Sequence, residues 1–400
     1  MTPAVAKPTL AILVAISALQ PIALNLLAPA TPALARHFAS SYATIQLTLT
    51  LFLVAVALTQ LVIGPLSDRF GRRPCVNAGV ALFALGSVLG AFAPTTHVLL
   101  IARVLEGAGG GAVFALSRAI IRDTADRDHA ASQIATVTMV MVVAPMLAPW
   151  LGGQIETAFG WRAIFWFMTL FGGAVLIFTL ARLPETAPNL GRQSSLLGVF
   201  RVFPELVRNR EFMLNVAASS SASSAFFVFI AATPYIVVET MGRGSDVYGA
   251  YFILNALGYM IGNFAMSRLA VRVGTQTMVR RGLVISFFGT AAALALSFSP
   301  WWSPLALFLP LAVNAVGNGM TIPGATAEAL SARPELAGSA AGLLGATQLG
   351  FSAALTVLIS WLVTLWPQSM NLFVWILTTA GLAAVYFVKK RPQQGSQLPR

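Results

Sequence analysis

Long apolar segments recur along almost the whole of this 400-residue chain, and they constrain its fold more than any other feature. A helix needs about 20 mostly apolar residues to cross the hydrocarbon core of a bilayer. The sequence therefore predicts an all-α integral membrane protein, with little room for an extramembrane domain. The predicted transmembrane helices are twelve runs, near 9–34, 42–66, 75–94, 98–121, 131–156, 161–182, 212–238, 247–270, 282–299, 303–329, 338–364 and 370–388.

The composition excludes a soluble protein. Hydrophobic residues make up 57% of the chain and charged residues only 10%, against about 25% charged in soluble domains. The first run, 9–34, is longer than the apolar core of a signal peptide and lacks a cleavage-like exit, so we expect it to be retained as a span. The single cysteine, Cys75, excludes an internal disulfide or a thiolate metal cluster within one chain.

The net charge of +12 reports membrane topology and gives no support to nucleic-acid binding. Lys and Arg in short loops stay on the cytoplasmic side of a membrane. With the N-terminus inside, all 25 Lys and Arg residues fall at cytoplasmic helix ends except Arg36, Arg103, Arg162 and Arg243. The sequence therefore predicts a multi-pass protein with both termini in the cytoplasm.

One long polar stretch divides the chain. It covers residues 183–211 and predicts a cytoplasmic linker between two pseudo-symmetric six-helix bundles, 1–182 and 212–400. A diverged internal repeat supports this division. The string from Gly64 to Pro74 in the first half has a weaker echo from Gly262 to Gly274 in the second, which lacks the acid.

The string between the second and third spans is the most specific in the sequence. It reads GPLSDRFGRRP and resembles motif A of the major facilitator superfamily. Length, span count and central loop agree with that family, which implies its fold and transport by alternating access. The residues that match the motif are Gly64, Asp68, Arg69, Gly71, Arg72 and Arg73.

The charges of this string predict a cytoplasmic gate. We expect Asp68 to bond the exposed N–H groups where the eleventh span starts, near Gly338. Arg72 or Arg73 is expected to pair with Asp123 at the inner end of the fourth span. The alternative is that these charges only anchor a cytoplasmic loop.

Three further strings sharpen the resemblance. Residues 102–111 resemble motif B of the superfamily, with Glu106 in place of the usual glutamine, and residues 117–123 resemble the Bcr/CflA drug:proton antiporters. Residues 144–153 resemble the antiporter motif C through Pro145, Pro149, Gly152 and Gly153, which implies an exporter. The alternative for this segment is an ordinary proline kink.

Glu106 is the predicted proton carrier, together with Arg103. The resemblance implies an acid in the first span, but Asn25 stands there, and an amide cannot gain or lose a proton at neutral pH. Of the 13 acidic residues only Glu106 lies well inside a predicted span. The alternative is that Arg103 and Glu106 neutralise each other and only lock helix packing. No metal or cofactor is expected, because His37, His97 and His129 fall in loops.

The substrate cavity is expected between the two halves, near the membrane midplane. Aromatic, thioether and amide side chains there suit a small amphipathic guest. The alternative for many of them is helix packing. The candidate lining residues are Asn25, Arg103, Glu106, Met139, Phe226, Phe229, Tyr251 and Asn255.

These features predict a secondary active exporter of small amphipathic drug-like compounds, driven by proton antiport. The alternative is a metabolite exporter or facilitator with weak or no proton coupling. An enzyme is not expected, because one interior acid without a companion does not make a catalytic site. The expected partners are a small-molecule substrate, protons and the lipid bilayer, and the expected setting is a monomer in a bacterial inner membrane.

Overall fold

Helices make up the fold. The computed structural model describes residues 8–124, 145, 147–187, 203–333 and 336–386. The α-helices, in chain order, are α1 (Leu10–Leu26), α2 (Thr31–His37), α3 (Tyr42–Phe70), α4 (Arg72–Ala91), α5 (Thr96–Thr124), α6 (described over 147–159), α7 (Trp161–Arg182), α8 (203–208), α9 (Arg210–Tyr235), α10 (Ser245–Val273), α11 (Thr275–Ser297), α12 (Pro304–Ser331), α13 (Ala337–Leu365) and α14 (Ser369–Tyr386).

Most of the predicted spans coincide with helices. In the part of the chain that the structure describes, ten helices are long and apolar enough to cross a membrane. The eighth predicted span corresponds to α10, which has 29 residues but is less apolar than those ten. Much of the fifth predicted span, 131–144 and 146, lies outside the described residues. The division into two units at 183–211 stays a prediction.

The first predicted span, 9–34, is confirmed as a candidate membrane span over Leu10–His37, but its helix is interrupted. Helix α1 ends at Leu26, a 3-10 turn follows at Ala28–Ala30, and α2 begins at Thr31. Pro29 and Pro32 lie in the first turns of these two short elements, where proline needs no N–H partner. The break redirects the chain before α3.

Two glycines mark the internal repeat in the backbone. Gly71 joins α3 to α4 with φ of 102°, and Gly274 joins α10 to α11 with φ of 85°. Both α3 and α10 have 29 residues. A positive φ strains residues that carry a Cβ, so glycine suits both joints. The weaker echo of motif A in the sequence therefore corresponds to the same helix–glycine–helix joint.

Helices α3 and α9 meet through hydrogen bonds at one end of the bundle. The Tyr42 hydroxyl and the Gln46 amide both donate to the carbonyl oxygen of Ala231, each at 2.7 Å. The hydroxyls of Thr50 and Thr356 lie 2.9 Å apart, which joins α3 to α13. All three hydrogen bonds lie toward the predicted extracytoplasmic side, and we call them together the outer contact.

A cavity lies toward the other end of α3. Its volume is about 200 Å³, and it lies between α3, α5 and α13. Gln60, Phe114 and Arg118 line it on one side, and Gly342 and Gly345 on the other. This cavity and the outer contact thus lie at opposite ends of α3.

Backbone contact at Gly317 generates a prediction about stability. A Cβ at this position of α12 would lie 2.8 Å from the backbone nitrogen of Ser286 on α11, whereas a Cβ at Gly173 of α7 would meet nothing within 4 Å. We therefore expect Gly317→Ala to lower the free energy of unfolding by about 1–3 kcal/mol. Gly173→Ala is the matched control, and thermal unfolding of the purified proteins measures both. Equal midpoints for the two variants would contradict the close approach of α11 and α12.

Candidate functional site

Arg103 and Glu106 form an ion pair inside the bundle. They lie three residues apart on α5, and their side chains are 1% and 0% exposed. The Glu106 carboxylate accepts one bond from the Arg103 guanidinium and a second from the Ser87 hydroxyl at 2.8 Å. Burial of a lone charge is costly, so the pair is retained as a mutually neutral unit.

The Arg103 guanidinium also binds helices α1 and α3. It donates to the carbonyl oxygen of Ala23 at 3.1 Å and to that of Thr48 at 3.4 Å. It lies over the Phe52 ring, 4.4 Å from the ring centroid, in a cation–π contact. With Ser87 of α4 on the Glu106 side, one ion pair connects four helices.

The two members of the pair face different surroundings. Arg103 lines a small cavity together with Thr31, Gln46 and Ile230, so it lies at the buried interface between α9 and the first-half helices. Glu106 faces α4 instead. A Cβ on Gly86 of that helix would lie 3.0 Å from the Glu106 Cγ, so glycine is required for this close approach.

A larger cavity, of about 260 Å³, lies between α9, α10 and α12. Three predicted substrate-binding residues line it, Phe226, Phe229 and Asn255. Asn314 and Asn318 of α12 line it as well and were missed from the sequence. Their spacing of four residues on one helix face, in an otherwise apolar run, is the signal that could have identified them. We call this space the amide cavity.

Other predicted substrate residues lie elsewhere. Tyr251 stacks on Phe308 with ring centroids 5.7 Å apart. The Asn25 amide donates to the carbonyl oxygen of Pro21 within α1 at 2.8 Å. Arg103 and Glu106 are on α5, away from the amide cavity. Met139 lies outside the described residues.

The predicted motif C residues lie where α6 meets its neighbours. Pro145 is a lining residue of the amide cavity. A Cβ on Gly153 would lie 2.5 Å from the carbonyl oxygen of Ser245 on α10, and a Cβ on Gly249 would lie 2.6 Å from that of Pro149. A Cβ on Gly152 would lie 3.2 Å from the Pro29 ring. The motif therefore provides a smooth helix surface between α1 and α10.

Arg72 is the centre of the predicted gate. Its guanidinium contacts Asp123 at 3.0 Å and Asp68 at 2.8 Å, and it donates to the Ser67 hydroxyl. The expected pairing with Asp123 is thus made by Arg72. Arg73 donates from its guanidinium to the carbonyl oxygen of Leu180 on α7 at 3.0 Å. The expected contact of Asp68 with the start of α13 stays a prediction.

Glu185 belongs to this cluster and was missed from the sequence. Its carboxylate accepts bonds from the backbone N–H groups of Arg72 and Arg73 at 2.8 and 3.1 Å. It thereby satisfies the exposed donors at the start of α4, where a negative charge is also favoured. A Cβ on Gly71 would lie 2.5 Å from the Glu185 Oε2 atom.

The environment of Glu185 sets its acidity. Partial burial raises the pKa of the carboxyl, but bonds from the backbone N–H groups of Arg72, Arg73, Thr186 and Ala187 outweigh it, so the pKa lies below its ordinary value. The carboxylate therefore stabilises the fold at neutral pH.

Metal chemistry has no candidate site in the described ranges. No group of three or more His, Cys, Asp or Glu side chains there is placed to hold a metal ion.

This arrangement of a membrane-spanning helix bundle around an interior cavity is that of a transporter. The chain matches the family model of the Major Facilitator Superfamily over residues 13–355. It therefore belongs to this superfamily, and it is a transporter of small molecules and not an enzyme.

Relatives and a solved structure agree with this assignment. The bicyclomycin resistance protein homolog of Haemophilus influenzae is 30% identical over 86% of this chain and 87% of its own. The multidrug resistance protein MdtL of Escherichia coli is 28% identical over 92% and 87%. The partially occluded inward open conformation of the xylose transporter XylE from E. coli has a TM-score of 0.72, 15% identity, and coverage of 94% and 95%. That last similarity supports the fold alone.

The role of Glu185 generates a pH-dependent prediction. A carboxyl whose pKa is lowered on folding stabilises the folded state above its ordinary pKa of about 4.3, and this contribution is lost as the pH falls through the lower folded-state pKa. We expect Glu185→Gln to lower the free energy of unfolding by about 1 kcal/mol at pH 7, as loss of a helix cap does. Below about pH 4 the difference from wild type shrinks.

Thermal unfolding at pH 7 and at pH 3.5 measures this difference. Glu156→Gln, which replaces an acid of α6 away from this cluster, is the control. A difference between Glu185→Gln and wild type that stays constant over the whole pH range would contradict the capping role.

Proposed function

We propose that this protein is a secondary active exporter of small amphipathic drug-like compounds, which works by alternating access and takes up protons in exchange. The observation that carries the proposal is the amide cavity, whose described lining residues are aromatic, aliphatic and polar, and none is an acid or a base of the Asp, Glu, Lys, Arg or His type. The names of two relatives, a bicyclomycin resistance protein homolog and MdtL, support drug efflux.

Glu106 carries the proton in this proposal. It is an acid in the interior of a membrane-spanning helix, and such groups commonly serve in proton transfer. A proton on Glu106 removes the negative partner of Arg103 and leaves the guanidinium to the carbonyl oxygens of Ala23 and Thr48. Helices α1 and α3 thereby respond to the protonation state of the Glu106 carboxyl on α5.

Alternating access requires a gate at each end. The outer contact is the gate on the extracytoplasmic side. The cytoplasmic gate is motif A, in which Arg72 holds α4 to α5 through Asp123. When this side closes, Asp68 exchanges its bond with Arg72 for the N–H groups at the start of α13. The other members of this gate are Gly64, Arg69, Gly71 and Arg73.

The two predicted bundles, 1–182 and 212–400, move against each other in this cycle. The protein acts as a monomer in a bacterial inner membrane, with both termini in the cytoplasm. A metabolite facilitator without proton coupling is the second candidate. Two observations favour it: Asn25 occupies the place of the expected acid, and Glu106 faces α4 instead of a cavity.

Transport in proteoliposomes distinguishes these candidates. With an imposed pH gradient, we expect wild type to accumulate labelled amphipathic drugs and Glu106→Gln to exchange them without accumulation, because the amide cannot take up a proton. Glu156→Gln serves as the control and is expected to accumulate drug as wild type does. Accumulation that survives Glu106→Gln would refute the proton assignment. Gradient-independent movement of a polar metabolite by wild type would favour the facilitator.

A further inference from the structure

Two amide oxygens in the amide cavity lack a hydrogen-bond partner. They belong to Asn255 of α10 and Asn314 of α12, residues that are only 5% and 4% exposed. A buried carbonyl oxygen without a partner costs free energy that a bound donor recovers. The neighbouring Asn318 differs, because its oxygen lies 3.5 Å from the Ser286 hydroxyl. Both oxygens are themselves inaccessible to solvent, so a donor on a ligand reaches them once the two amides, which line the cavity, turn toward it.

Close helix packing fixes the positions of the two amides. Helices α10 and α12 approach until a Cβ on Gly258 would lie 3.3 Å from the Ala315 Cβ, and one on Gly262 would lie 3.1 Å from the Gly319 Cα. Asn255 precedes Gly258 by less than one helical turn, and Asn314 adjoins Ala315. The amides therefore stand on a rigid scaffold, which lowers the cost of ordering them on binding.

Phenyl rings form the other walls. Phe229 and Phe252 line the cavity, with ring centroids 5.7 Å apart. Phe229 also contacts Phe308 edge to face at 5.7 Å, which continues the aromatic cluster away from the cavity. Such walls suit a flat apolar ligand body. Among the described lining residues Tyr259 is the one ionisable group, so a charged ligand would be buried without a counterion.

We propose that the amide cavity binds an uncharged aromatic ligand through hydrogen-bond donors, N–H or O–H groups, that the ligand gives to Asn255 and Asn314. This proposal rests on the proposed function for its setting and narrows the substrate class from amphipathic to neutral and donor-bearing. Organic anions and compounds with acceptors alone are excluded. Binding requires no change at Glu106, since the amides lie on α10 and α12 and the carboxylate on α5.

Three related compounds test the recognition. Biphenyl-4-carboxamide has two N–H donors, its N,N-dimethyl derivative has none, and biphenyl-4-carboxylate is charged. Calorimetric titration of the protein in lipid nanodiscs, with empty nanodiscs subtracted, measures each affinity without a pH gradient. We expect wild type to bind the carboxamide about tenfold or more tightly than the other two, as expected for two net hydrogen bonds.

Variants then test whether Asn255 and Asn314 cause the preference for the carboxamide. In Asn255→Leu and Asn314→Leu together, the carboxamide and its dimethyl derivative are expected to bind equally, because the acceptors are gone. Asn371→Leu is the matched control, since Asn371 on α14 is 1% exposed and its amide likewise lacks a partner, outside the cavity. It is expected to retain the tenfold preference. If the double variant does not fold, Asn255→Leu alone is expected to reduce the preference to about threefold.

Several results would overturn the proposal. These are equal binding of all three compounds to wild type, no binding of any, tighter binding of the carboxylate, or a preference that survives loss of both amides. The proposed function fails separately: a preference in binding without gradient-driven transport would refute proton-coupled export and leave the recognition intact. Transport without the preference would refute the recognition alone.

Discussion

The packing of the first-half helices depends on one guanidinium in the middle of the bundle. Arg103 joins α5 to α1 and α3 through two carbonyl oxygens and one ring face, and Glu106 joins the same helix to α4 through Ser87. Each charge is costly at such burial without its partner, and when Glu106 is neutral the guanidinium keeps only the two carbonyl oxygens and the Phe52 ring. The two roles considered from the sequence, helix packing and proton coupling, are therefore compatible. A proton on Glu106 would alter contacts among four helices at once.

The ion pair and the amide cavity occupy different halves of the sequence. Arg103 and Glu106 are on α5, whereas the orphaned amides are on α10 and α12. Ligand and proton would then influence each other through helix positions, and they would not compete for one side chain. Pro145 is the exception to this separation, because it comes from the first half and lines the cavity of the second.

The sequence predicted the helical membrane fold and a contact between the motif A arginines and Asp123, because apolar length and dense charge strings are local signals. It left open whether Arg72 or Arg73 makes that contact, and the structure shows Arg72. Glu185 was missed because it lies 113 residues from the N–H group it binds, and no local pattern marks that contact. Asn314 and Asn318 were missed because their four-residue spacing was not used, although it places both amides on one face of an apolar helix. The break after Leu26 was missed because the run stays apolar across it.

The Ala231 carbonyl in the outer contact accepts from Tyr42 and Gln46 at once. If α9 moves away, the Ala231 carbonyl and the Tyr42 hydroxyl lose this contact in the same step, whereas the Gln46 amide keeps its bond to the Tyr42 hydroxyl at 2.7 Å. Water must reach the freed groups before any of the cost is recovered. A small separation is therefore the least favourable arrangement, worse than either full contact or full hydration. Under the proposed alternating access, the outer contact would therefore oppose a half-open state, in which both ends of the bundle could leak.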